Sequence, residues 1–223
     1  SLFGKLSIKP VKNLRIALLY TLNNDRWQSY SHGSKYNPDG VPMNYSESSL
    51  LSLSVNHLIS NRAFHDLKLS FNKNWNGSYL YEDPLDPRYV TSNYSQGAGG
   101  FSSGGQSKGH NELFSEQYSA KYDLTWQISK HHSLRSGFQY TQHWVKNYPI
   151  VVRDKKWGTP EETNKYYDPA QQRMIFNPWE PEILPLESIA MDQYEKEPYD
   201  YSAYFQDKME YRGMVVNAGI RFD

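Results

Sequence analysis

The chain has no cysteine among its 223 residues, which excludes disulfide cross-links and thiolate metal sites. It has no excess of charge either, with Lys+Arg 24 against Asp+Glu 24. A basic footprint for nucleic acid is therefore missing, and no nucleic-acid partner is expected. No apolar run approaches the roughly 18 residues that a membrane helix needs, and mean hydropathy is −0.80. That excludes spanning by helices but not by a β-barrel, whose lipid face uses only every second residue. No window carries sustained helical periodicity. The opening residues Ser1-Leu2-Phe3-Gly4-Lys5 lack the basic segment and apolar core of a signal peptide, and the last ones, Ile220-Arg221-Phe222-Asp223, stop in mid-alternation. The expectation is an excerpt of a longer protein, without its signal peptide, whose residues 1–223 form part of one domain.

What is present is aromatic and alternating. Tyr 19, Phe 9 and Trp 6 favour strands. Leu14, Ile16, Leu18, Tyr20 and Leu22 share one face of a strand, while Arg15, Ala17 and Thr21 share the other, and Leu19 breaks the pattern. From Phe114 the even positions read Phe, Glu, Tyr, Ala, Tyr, Leu, Trp and Ile, whereas the odd ones from Ser115 to Gln127 are all polar. Eight strands are predicted, at 2–9, 14–22, 49–57, 64–75, 113–129, 133–145, 199–208 and 213–223. They pair as four hairpins through turns at Pro10-Val11-Lys12-Asn13, Ile59-Ser60-Asn61-Arg62, Lys130-His131-His132 and Glu210-Tyr211-Arg212-Gly213. Loops at 23–48, 76–112 and 146–198 separate the hairpins. Three such loops on one side are foreign to a compact soluble domain. They match an outer-membrane barrel, with short periplasmic turns and long extracellular loops. The fold class expected is thus all-β, an antiparallel transmembrane β-barrel segment.

Registers can be written down. A turn centred on Asn61 sets Leu51, Leu53 and Val55 opposite Phe71, Leu69 and Leu67, and His57 opposite His65. Pairing Ile128 with Leu134 sets Trp126 opposite Ser136, Leu124 opposite Phe138, Tyr122 opposite Tyr140 and Tyr118 opposite Trp144. The expected lipid face carries Ile16, Leu18, Leu53, Val55, Leu67, Leu69, Leu124, Trp126, Phe138 and Tyr140. The opposite face carries Ser52, Ser54, Asn56, Lys68, Ser70 and Asn72 in one hairpin, and Lys121, Asp123, Gln127, Arg135 and Gln139 in another. Such a surface suits a wet lumen or a polar plug.

The run Tyr201-x-x-Tyr204-x-Gln206-Asp207, its tight turn and the strand Asn217-x-Gly219-x-Arg221-Phe222-Asp223 resemble a barrel hairpin of TonB-dependent outer-membrane receptors. The closest resemblance is to those in which a carboxypeptidase-regulatory-like domain and a plug precede the barrel. Lys5 to Tyr30, with Lys9-Pro10 ahead of Asn13-Leu14-Arg15, is similar in style. The resemblance implies a barrel of about 22 strands with a plugged lumen. It implies uptake of a bulky nutrient with energy passed from the inner membrane. The implied setting is the outer membrane of a diderm bacterium. The implied partners are membrane lipid and lipopolysaccharide, the rest of the barrel and its plug, a TonB-type energiser and a surface lipoprotein. Two other readings stay open: a self-contained eight-strand anchor or adhesin barrel, and a soluble carbohydrate-binding sandwich.

No residue is expected to perform chemistry, and neither cofactor nor metal is expected. Gly97-Ala98-Gly99-Gly100-Phe101 and Ser103-Gly104-Gly105 lack the Gly-Lys-Ser/Thr ending and the strand-to-helix setting of a phosphate cradle, and read as loop. His57 and His65 lack a third ligand nearby, and His131-His132 reads as a solvated turn. Asp83-Pro84-Leu85-Asp86-Pro87 and Asn37-Pro38-Asp39-Gly40 offer oxygens, but turns are the simpler account. His143 points toward the lumen near the rim, with Asp200 at about the same level. Loop aromatics are the candidate ligand contacts: Trp27, Tyr30, Tyr79, Tyr81, Trp157 and Trp179, with Tyr36, Tyr166 and Tyr167 beside them. They either pack loops together or line a vestibule.

Overall fold

The structure is a computed structural model that describes residues 1–90, 100–102, 104–159, 165–170, 172–176 and 179–223. Its strands are β1 (Leu2–Val11), β2 (Leu14–Gln28), β3 (Met43–Ser60), β4 (Ala63–Tyr79), β5 (Gly109–Gln127), β6 (His132–Asp154), β7 (Lys165–Asp168), β8 (Arg173–Phe176), β9 (Pro181–Ile183), β10 (Tyr194–Lys196), β11 (Tyr199–Tyr211) and β12 (Met214–Phe222). One 10-stranded sheet runs β1-β2-β3-β4-β5-β6-β11-β12, with β10 and β9 laid along the far half of β6, and β7 pairs with β8 alone. Every pairing is antiparallel. Among the described residues no second sheet packs on this one, so the fold is not a sandwich. Among the described residues β12 and β1 do not pair, so the chain does not close into an eight-strand barrel either.

The four expected hairpins are present, and their strands run further toward the loops than alternation suggested. The strand expected at 49–57 spans Met43–Ser60, and that at 133–145 spans His132–Asp154. The added segments, such as Asn44-Tyr45-Ser46-Glu47-Ser48, are polar on both faces. Backbone pairing holds them, and hydropathy does not reveal it. The loops shrink accordingly to 29–42, 80–108 and 155–198, the last containing β7 to β10. Asn61-Arg62 centres the β3–β4 turn as expected, giving Leu51↔Phe71, Leu53↔Leu69, Val55↔Leu67 and His57↔His65. The β5–β6 register differs from expectation by two residues, with Trp126↔Leu134, Leu124↔Ser136 and Tyr122↔Phe138. Ile128 belongs to the turn, where its N–H donates to the His132 carbonyl. A slip of two keeps every side chain on its expected face.

The two histidines of that turn are open to solvent, as expected, and each is also engaged. His131 Nδ1 lies 2.7 Å from the Glu210 carbonyl oxygen and its ring stacks on Tyr211, while His132 Nδ1 lies 2.7 Å from Asp207 Oδ2. The β5–β6 and β11–β12 turns are thereby tied side by side. Gly213 closes the second of them at φ +83°, a conformation that side chains disfavour.

The two faces separate cleanly. One row reads Leu6, Leu18, Leu53, Leu69, Ala120, Tyr140 and Tyr201 across seven strands. Beside it run Ile8, Ile16, Val55, Leu67, Tyr122 and Phe138. On the other face Tyr204 crosses a gap at Gly137 and donates from its hydroxyl to Asp123 Oδ1 at 2.8 Å, joining β11 to β5 over β6. A Cβ at Gly137 would stand 2.2 Å from the Tyr204 ring and 2.7 Å from Asp123 Oδ1. We expect Gly137→Val to destabilise the sheet by about 1 to 3 kcal/mol, the usual cost of overpacking. Tyr204→Ala should relieve part of that cost in a double-mutant cycle read by denaturant unfolding in micelles, and strict additivity would show that the two residues do not share the space.

Candidate functional site

The loop end of the sheet is where most of the candidate residues gather. The first loop carries two short 3-10 turns, His32–Ser34 and Pro38–Gly40, and clasps the second. Asn37 Nδ2 donates to the Gly105 carbonyl at 2.7 Å, Ser107 N to the Gly40 carbonyl at 2.8 Å, and Ser102 N to the Gly33 carbonyl at 2.7 Å. His32 and Tyr36 both meet the Phe101 ring edge-on. The Asn37-Pro38-Asp39-Gly40 stretch is thus a docked turn. Asp83 and Asp86 cap turns in the same way, Asp83 Oδ1 accepting from Leu85 N and Asp86 from Arg88 N. The Arg88 guanidinium, hydrogen-bonded to Asp86, holds that carboxyl down to about 2. Among the described residues no three His, Cys, Asp or Glu side chains are placed to share a metal.

A small aromatic core holds the second and third loops to the strand ends. Tyr79 is buried, stacked on Tyr45 at 4.8 Å and on His110 at 4.8 Å. Burial raises the Tyr79 hydroxyl above its ordinary pKa, helped by nearby Tyr45, Glu82 and Glu112. Tyr81 packs edge-on against buried Tyr89, with Arg88 over its face and Gln106 donating to its hydroxyl. Lys108 lies over the rings of Tyr89 and Trp179 and donates to the Val90 and Gln106 carbonyls, and burial pushes its amine down to about 8. On β6, Val151 N meets the Met191 sulfur at 3.4 Å.

The six candidate aromatics therefore split. Tyr79, Tyr81 and Trp179 hold loops together. Trp27 lies in β2 on the polar face beside Asn44 and is 48 % exposed; Tyr30 is 79 % exposed, its hydroxyl 3.1 Å from His32 Nδ1. Trp157 is exposed on a separate turn after β6. The side chains of Tyr166 and Tyr167, and residues 97–99 and 103 of the glycine stretch, lie outside the described residues. Tyr45, Tyr89, Phe101, Lys108, His110 and Met191 were not anticipated. Each acts through a neighbour distant in sequence, and nothing local marks it.

Below the loops the polar face is mainly hydroxyl and amide, with Asp25 beside Ser46 and Asp200 beside Thr141. Ser46 Oγ donates to Asn76 Oδ1 at 2.9 Å and Ser78 Oγ to Asn44 Oδ1 at 3.0 Å, while Ser70 and Ser119 share a hydrogen bond at 2.6 Å. His143 Nε2 lies 3.2 Å from Asp200 Oδ2 on the neighbouring strand, so these two residues do meet. His57 Nδ1 and His65 Nε2 are 3.1 Å apart on the apolar face near the turns. The clasp between the first two loops makes a direct prediction. A Cβ at Gly40 would stand 2.6 Å from the Gly105 carbonyl, so Gly40→Ala should open the contact. Hydrogen exchange at Ser107 N should then speed up while exchange at Leu53 N stays unchanged.

No family model matches the chain, and no curated protein does. Its structure is similar to the outer membrane transporter YddB from Escherichia coli, at 13 % identity and a TM-score of 0.56. The match covers 97 % of this chain and 26 % of that one, so the chain spans about a quarter of the transporter's length. At this identity the likeness speaks for the fold, an antiparallel sheet of the outer-membrane-barrel type.

Proposed function

We propose that the chain forms an arc of the barrel wall of a TonB-dependent receptor in the outer membrane of a diderm bacterium, taking up a bulky nutrient. The observation that carries this is the apolar face. Leu18, Leu51, Leu69, Tyr118 and Phe138 are 41, 43, 40, 49 and 50 % exposed, on adjoining rows with no protein over them. A soluble monomer rarely leaves so broad a patch open, whereas lipid and the acyl chains of lipopolysaccharide cover it at no cost. From Leu14 to Leu22 the stripe is also the length that a tilted strand needs to cross hydrocarbon.

The open edges support an arc. β1 and β12 each have one neighbour in the sheet, and unpaired backbone groups in hydrocarbon cost several kcal/mol each. Strands from the rest of a larger barrel would pair them. A plug would fill the lumen and contact the energiser, and a surface lipoprotein is a natural partner for the loops. The reading asks no reaction of this chain.

Two measurements test it. Leu69, in the middle of the apolar rows, should cost about 2 to 4 kcal/mol when changed to Arg, with Ser70→Arg on the other face costing far less. Leu124 lies nearer the turns and should be intermediate. Equal tolerance at positions 69 and 70 would remove the lipid assignment. An epitope inserted after Trp157 should be reached from outside intact cells, and one at Ser129 should not; the reverse pattern would invert the topology.

A further inference from the structure

Five of the seven histidine rings face an oxygen. His32 meets the Tyr30 hydroxyl, His110 the Glu112 carboxylate, His131 the Glu210 carbonyl, His132 the Asp207 carboxylate and His143 the Asp200 carboxylate. His57 and His65 face each other instead. They are direct cross-strand partners of β3 and β4 at the turn end of the apolar rows, with His57 Nδ1 3.1 Å from His65 Nε2. Two neutral imidazoles at this distance share one proton, the N–H of one donating to the lone pair of the other. Leu14 and Leu124 flank the pair in its row, and the Tyr122 ring centroid lies 5.5 Å from that of His65. Among the described residues the second nitrogen of His65, Nδ1, has no hydrogen-bond partner, so only this pairing and ring packing hold the imidazole in place.

We propose that His57 and His65 form a two-histidine site for a divalent transition ion such as zinc, which replaces the shared proton. The span between the nitrogens carries this. Metal–imidazole bonds of about 2.0 to 2.1 Å set two nitrogens about 2.9 Å apart at a right angle and about 3.3 Å apart at the tetrahedral angle. The observed 3.1 Å falls between, so a small turn of the two rings, without backbone movement, aims both lone pairs at one ion. The β3–β4 ladder already fixes the two Cα positions. Imidazole selects zinc, copper or nickel over magnesium and calcium, which take oxygen ligands. Both residues are only half-buried, which leaves water or a phosphate oxygen access to complete the coordination. The lack of a third protein ligand, which spoke against a metal in the sequence, here sets only the strength of binding. The ion is an exchangeable clip that ties β3 to β4 beside their turn. It lies on the apolar face, away from the polar wall, and the proposal stands whether or not the barrel reading does.

The test is equilibrium dialysis of the full-length protein in micelles against Zn²⁺, after bound metal has been stripped by a chelator, with zinc counted per chain. His57→Gln, His65→Gln and the double variant are compared with the unmodified protein, and circular dichroism checks that each retains its sheet. The other histidines are present in every sample, so whatever they bind cancels. The expected result is the loss of one and the same Zn²⁺ per chain in all three variants, with no difference among the samples when Mg²⁺ replaces Zn²⁺. Zinc retained in full by either single variant overturns the proposal, because one ring would then suffice. A double variant that loses the sum of what the single variants lose overturns it too, since each histidine would then bind alone. A matching loss of Mg²⁺ overturns the assignment to a transition ion. If a glutamine variant loses its sheet, His57→Asn and His65→Asn are read in the same way.

Discussion

The structure depends on strand register. Because side chains alternate with a period of two, slipping β4 by one residue against β3 would turn Leu67, Leu69 and Phe71 to the face that carries Ser52, Ser54 and Asn56. At about 25 cal/mol per Å² of apolar surface, moving three large side chains from lipid or protein into water costs several kcal/mol. Devices on both faces hold the alignment. The two-residue turn Asn61-Arg62 sets one pair, Tyr204 reaching over Gly137 to Asp123 sets three strands at once, and His132 with Asp207 fixes the turn ends. None of these contacts is strong alone. Together they make the slipped alternatives inconsistent with one another.

Register was legible wherever a short turn lay between two apolar stripes. The β3–β4 pairing written from Asn61 outward holds because a register shift between Leu58 and Ser60 offsets the one-residue displacement that closing Ser60 on Ala63 would otherwise impose. The β5–β6 pairing written from Ile128 does not, since Ile128 has the right parity to extend the strand and only its hydrogen bond to His132 puts it in the turn. Strand ends near the loops were illegible for a different reason. In Asn44 to Ser48 polar residues fall on both faces, so hydropathy cannot separate a strand from a loop, and the backbone ladder alone decides. The pair His57 with His65 followed from counting positions, whereas His143 and Asp200 were placed only at about the same level and are brought together by the β6–β11 pairing. The loop clasp and the aromatic core around Tyr79 did not, because they join residues far apart in sequence.

Loop aromatics show how one residue type serves two purposes. Tyr79 and Tyr81 look like Tyr30 in sequence, yet burial and ring contacts commit the first two to packing, while Tyr30 remains open to solvent. The packing has a consequence for the proposed role. Long loops lose much conformational entropy when they order around a ligand. Pinning the first loop to the second through Gly40, Gly105 and Ser107 settles part of that cost during folding, so that on the proposed reading exposed side chains such as Trp27 and Tyr30 would meet a ligand already positioned.

The sheet covers its backbone where the chain supplies a strand and leaves it open where it does not. β11 stops pairing with β6 at Gln142, yet β6 continues to Asp154, and the exposed stretch is covered by β10 and then β9 from the chain's own third loop. Above the apolar rows, then, an inner strand is paired locally. The two outer edges receive no such cover among the described residues: Leu2, Phe3, Leu6 and Ile8 on β1, and Val215, Ile220 and Phe222 on β12, are all about half exposed or more. In water, a bare apolar edge strand is a template for aggregation, and in hydrocarbon its unpaired N–H and C=O groups are costlier still. The proposed barrel wall answers that cost at both edges alike, because further strands paired to β1 and β12 would leave no backbone group open.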